Sequence, residues 1–160
     1  MKLLRTSLNL LVVVVVFAGI AHSQPASLKG VWQVIQVTTT GPTAATISSP
    51  QPGLYIFTGK YYSVVVVTGN TPRPDLSEKP TDAELLAAFS PFRGQSGTYE
   101  VSGTTLTLHP IVAKAPNAMH PDSLLTYSFK WEGKTLALTG ISTQAGPTTN
   151  PITVKLSRLE

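Results

Sequence analysis

Cysteine is absent from all 160 residues. That excludes disulfides, thiolate catalysis and cysteine-based zinc or iron–sulfur sites, and leaves packing and hydrogen bonding to hold the fold together. Charge is scarce too: Asp, Glu, Lys and Arg make up 12% of the chain. The basic residues after the N-terminus are scattered from Lys29 to Arg158 with no cluster. Nucleic-acid binding needs a concentrated basic surface, so nucleic acid is not an expected partner. Histidine is limited to three positions, with no His-x-His or His-x-x-x-His spacing. A zinc-type site would have to recruit Asp122 or Glu100 beside His109 and His120, so the expected metal is none, and no cofactor is called for.

One long apolar run is present, and it stands at the start. Lys2 and Arg5 form a positive head, Leu8 to Ile20 is apolar apart from Asn9 and Gly19, and Ala21-His22-Ser23 ends it with small residues flanking one larger one. Those are the three parts of a cleavable signal peptide. The run is shorter than the ~20 apolar residues of a spanning helix. The expectation is therefore a signal peptide over 1–23, cleavage after Ser23, and no stable membrane anchor afterwards. Residues 24–160 would then work as one secreted or periplasmic domain. Cleavage removes two basic and no acidic residues, leaving 137 residues with ten basic against eight acidic and a net charge of +2. That length suffices for one domain with a real core.

The mature sequence alternates strand and turn. Val31–Thr38, Leu54–Thr58, Tyr61–Thr68, Gly97–Val101, Thr104–His109, Leu124–Glu132, Lys134–Thr139 and Ile152–Leu159 read as strands. Gly59-Lys60, Ser102-Gly103 and Gly133 mark tight hairpins. Thr39 to Pro52 reads as a turn-rich loop, and Thr71 to Lys79 as a Pro-rich one. Val64 to Val67 is apolar at consecutive positions, which predicts a strand covered on both faces. One short helix is predicted from Thr81 to Phe89, with Thr81 and Glu84 as a capping box and Leu85, Leu86 and Phe89 as its apolar stripe.

Eight antiparallel strands in a meander predict an all-β barrel, because closure removes exposed edges; an open β-sandwich is the runner-up. Leu125, Tyr127, Phe129 and Trp131 share one face of their strand, and Thr126, Ser128 and Lys130 the other. Ile152, Val154, Leu156 and Arg158 likewise lie together.

Gly30-Val31-Trp32 opening the first strand, with Arg158 near the end of the last, resembles the Gly-x-Trp and distal Arg of lipocalins. Gly53-Leu54-Tyr55, Gly59-Lys60-Tyr61-Tyr62-Ser63, Gly97-Thr98-Tyr99-Glu100-Val101 and Gly133-Lys134-Thr135-Leu136 follow in an order similar to that of the bacterial and fungal lipocalin-like domain family. The resemblance spans about residues 28–159. It implies an eight-stranded, calycin-type up-and-down barrel with a central cavity, and it carries no defined ligand.

Tyr55, Tyr62, Tyr99, Tyr127 and Phe129 are candidate ligand-binding residues, since ligand pockets combine apolar surface with a few polar groups. His109 alternates with Thr105 and Thr107; hydrogen-bonding a ligand, lining the cavity and facing solvent are all open to it. Trp32 and Arg158 are candidates for a structural cation–π stack at the barrel's closed end. The function expected is binding or carriage of a small hydrophobic or amphipathic molecule. Two alternatives stand beside it: a filled barrel serving as a structural or protein-interaction module, and an isomerase- or cyclase-like enzyme acting on a hydrophobe in the cavity. Gly94-Gln95-Ser96-Gly97 is not a nucleophile elbow, and no catalytic constellation is recognisable.

Overall fold

The computed structural model describes residues 27–143 and 145–160. The expected signal peptide, residues 1–23, lies outside them. The chain runs β1 (Gly30–Thr39), β2 (Ala45–Ile47), β3 (Gly53–Phe57), β4 (Tyr61–Val67), α1 (Asp82–Phe89), β5 (Phe92–Ser102) and β6 (Thr105–Ala113). A 3-10 turn at Pro116–Met119 precedes β7 (Leu125–Glu132), β8 (Thr135–Thr143), β9 (Gly146–Pro147) and β10 (Ile152–Arg158). Eight of these strands form an antiparallel meander, β1-β3-β4-β5-β6-β7-β8-β10. β10 pairs with both β8 and β1, so the ladder closes on itself. Closure settles the architecture as an eight-stranded antiparallel barrel and excludes the open sandwich.

Alternation decides what fills it. On β3, Gly53, Tyr55 and Phe57 are buried while Leu54 and Ile56 are exposed. On β6, Leu106 and Leu108 point inward, and on β8 Leu136 and Leu138 do. Trp32, Leu106, Leu108, Leu136, Leu138 and Leu156 are the largest fully buried side chains. Each contributes roughly 1.5–3 kcal/mol by burial, and together they plug one half of the barrel.

Two glycines are fixed by close approach. Gly30 has φ of 138°, and a Cβ there would lie 2.3 Å from the Glu160 carbonyl oxygen. At Gly97 a Cβ would lie 2.0 Å from the His109 carbonyl, because β5 and β6 shift register between Ser96 and Gly97.

The two barrel ends differ in their connections. Short links join β3 to β4, β5 to β6 and β7 to β8 at one end. At the other end lie the long segments: 40–52 with β2, 68–91 with α1, 114–124 with the 3-10 turn, and the β8–β10 connection with β9.

Helix α1 is capped as expected: the Glu84 amide donates to Thr81 Oγ1 at 3.3 Å, and the Thr81 amide donates to Glu84 Oε2 at 2.8 Å. Those bonds to Thr81 hold the Glu84 carboxyl below its ordinary range. The apolar stripe is not what the spacing predicts. Ala88 is the helix's buried residue, while Leu86 is 69% and Phe89 49% exposed. The helix is held instead through its C-terminal carbonyls: Arg73 donates to Ala88, Lys114 to Phe89 and Arg93 to Ser90. The two-sided burial expected of Val64–Val67 also fails, because Val65 is exposed beside Leu54 and only Val64 is fully buried. Four consecutive valines thus reflect a strand with one core face and one apolar outer face.

Candidate ligand-binding site

The short-link end is sealed. Trp32 is fully buried and donates from Nε1 to the Leu28 carbonyl at 2.8 Å, which folds the lead-in segment across the barrel. The Arg158 guanidinium lies 4.4 Å from the Trp32 ring centre and donates to the carbonyls of Lys29, Ser27 and Glu160. Trp131 packs on Trp32 with ring centres 5.6 Å apart. Trp32 and Arg158 therefore make the stack the sequence suggests, and Arg158 also ties Ser27 and Lys29 to Glu160 through their backbone oxygens. A shallow outer depression of about 470 Å³ covers this end, with Trp32 filling its base.

The long-loop end is a cup. Its larger chamber has a volume of about 490 Å³ and is walled by Val34, Val37, Ile47, Val66, Ile152 and Val154, with Tyr55 and Tyr127 at its base. The short strands matter here: β2 pairs Ile47 with Val37, and β9 pairs with Ser142–Thr143, so both extend the wall. A smaller chamber of about 360 Å³ opens beside the first between β5, β6 and β7. Gln95, Lys114 and Leu125 line it, and it shares Tyr55, Val66, Arg93 and Tyr127 with the larger one. It opens because β6 pairs with β7 only from Thr105 to Leu108, leaving the rest of β6 on β5 alone.

Three of the candidate residues come together. Tyr55, Tyr62 and Tyr127 meet between cup and core, on β3, β4 and β7. Burial pushes all three phenols above their ordinary value of 10.0, and Tyr127 raises Tyr55 and Tyr62 further by repulsion between phenolates. They are neutral donors across the physiological range. The Tyr62 hydroxyl is buried with no hydrogen-bond partner among the described residues.

The other three lie elsewhere. Tyr99 packs edge-on to Phe57, ring centres 5.2 Å apart, and donates to the Thr58 carbonyl at 2.7 Å, so its hydroxyl is engaged at the sealed end. Phe129 packs against the core opposite Leu138. His109 falls on the outer face, out of phase with the inward Leu106 and Leu108. Its Nε2 is 3.8 Å from Glu100 Oε1, longer than a hydrogen bond. Among the described residues no group of three or more His, Asp or Glu could hold a metal ion.

Arg93, Gln95 and Lys114 are the cup residues that the sequence reading misses. Arg93, Gln95, Gly97 and Tyr99 alternate inward along β5, and that alternation is the signal. It is masked because Gly94 and Gly97 make the strand look as though it begins later.

No family model matches the sequence, and no curated protein matches it. Among solved structures, a lipocalin-like protein from Bacteroides uniformis is similar, with a TM-score of 0.45, 13% identity and coverage of 81% of this chain and 97% of that one. An uncharacterized protein from Bacteroides eggerthii has a TM-score of 0.44 and 9% identity, covering 82% of this chain and 99% of that one. The architecture rests on this chain's own ladder: a closed, eight-stranded, up-and-down antiparallel barrel of the lipocalin-like type, with one short helix.

Proposed function

We propose that this protein is exported and binds a small, largely apolar molecule in the cup at the long-loop end of its barrel. Export rests on the sequence of residues 1–23, with its positive head, short apolar core and small-residue exit. The observation that carries binding is the 490 Å³ chamber walled by valine and isoleucine, within the ~300–1,000 Å³ range of ligand pockets. Covering apolar ligand surface there would supply about 25 cal/mol per Å² before ordering costs. Tyr55 and Tyr127 offer neutral hydroxyls at the base to orient one polar group. A barrel plugged along half its length and open along the other combines a stable scaffold with a vacancy of ligand size.

The test is binding of an environment-sensitive apolar fluorophore to residues 24–160, alongside Val66→Trp. Val66 borders both chambers, so an indole there fills the space where they meet. Fluorescence enhancement in the native protein and at least tenfold weaker binding in V66W, with a similar melting temperature, is the expected result. Equal binding by the two proteins places the fluorophore elsewhere and refutes the cup.

A further inference from the structure

The smaller chamber has a different chemistry from the larger. Arg93 and Lys114 both line it, and among the described residues neither has an Asp or Glu oxygen within 4.0 Å. Their partners are neutral carbonyls: Arg93 Nη1 donates to Ser90 and Phe92, and Lys114 Nζ to Phe89 and Phe92. Lys114 also lies 6.0 Å from the Phe92 ring centre. Two cations are thus held side by side at the end of α1, where the helix dipole offsets only part of one charge. Arg93 engages its carbonyls through a single nitrogen, and the rest of its donor fork has no partner among the described residues. Arg93 also borders the larger, apolar chamber.

We propose that the cup takes an amphiphile with an anionic head. Its apolar body lies in the valine-walled chamber, and its carboxylate or phosphate sits between Arg93 and Lys114 in the smaller one. This deepens the binding function proposed above and rests on it. A planar guanidinium fork suits both head types, and Tyr55, Tyr127 and Gln95 add neutral donors in the same chamber. The competing role for the two cations is to cap the helix and nothing more.

Calorimetric titration of residues 24–160 with dodecanoate, dodecyl phosphate and dodecanol separates these roles. At least one anion binds more tightly than dodecanol, by about tenfold to a hundredfold for a charge-assisted pair, and the preference shrinks as salt rises. The stronger of the two anions identifies the head. Arg93→Gln and Lys114→Gln each weaken anion binding and leave dodecanol unchanged, while Arg93→Lys retains part of the preference. If R93Q fails to fold, the native protein's anion-to-alcohol ratio and its salt dependence decide. Equal affinity for all three amphiphiles overturns the anionic site and leaves the cup intact. Failure of all three to bind overturns the cup itself.

Discussion

At the sealed end the strands point Trp32, Phe57, Leu106, Leu136 and Leu156 inward, and their side chains meet across the barrel. At the mouth the same strands, or their neighbours, point Val34, Val37, Val66 and Val154 inward, and these wall a chamber of about 490 Å³. Both halves obey the same two-residue alternation, so alternation alone does not decide whether a barrel is solid. Side-chain size does. Leucine and tryptophan reach the axis of an eight-stranded barrel; valine, branched at Cβ and short, stops at the wall. The connections follow the same division, with tight hairpins over the packed half and long segments around the open half.

That contrast can be broken from either side. The largest effect is expected from Leu156→Ala, which empties a fully buried position in the packed half. Loss of about 2–5 kcal/mol is the usual cost of such a cavity, read by denaturant unfolding, with fluorophore affinity per folded molecule unchanged. A loss in affinity matching the loss in stability would show that the two halves are not independent. Arg158→Ala comes next. It removes the cation over Trp32 and the donor to three carbonyls, and about 1–3 kcal/mol is expected. The melting temperature falls while ligand selectivity is unaltered; unaltered melting would refute the stack's structural role.

The smallest effect at neutral pH belongs to the phenols between the two halves. Tyr55, Tyr62 and Tyr127 have folded-state values raised above 10.0 by burial. Their contribution is complete below pH 10.0. It is lost as pH rises from there toward the folded values, because the unfolded chain releases the protons first. Stability should therefore decline on the alkaline side, with tyrosinate absorbance from this group rising together with loss of β-sheet circular dichroism. Phenolate formation well before unfolding would mean that the cup floor is wet.

Much of the scaffold was legible in the sequence. All eight barrel strands and the helix cap follow from β-branched runs, Gly-containing turns and the Thr81–Glu84 pair. The Gly30–Trp32 and Arg158 pairing was legible as well, since each end of the chain carries a distinctive residue. What was not legible depends on distance. Strands β2 and β9 are two or three residues long and exist because a neighbour accepts them. The helix stripe failed because α1 is anchored by Arg73, Arg93 and Lys114 from elsewhere in the chain, a force that helical periodicity does not record. Tyr99 and Tyr127 read alike as candidate ligand-binding tyrosines. Register sets the first at the sealed end and the second at the cup.

The described chain enters the barrel at Ser27 and leaves it at Glu160, and Arg158 touches the carbonyls of both. Entry and exit therefore share the sealed pole. Whatever is joined to either terminus, whether a purification handle, a fluorescent partner or a sensor surface, hangs from the pole opposite the mouth. Tethering by either end would present the cup outward, and a sequence inserted at that pole would leave the rim undisturbed.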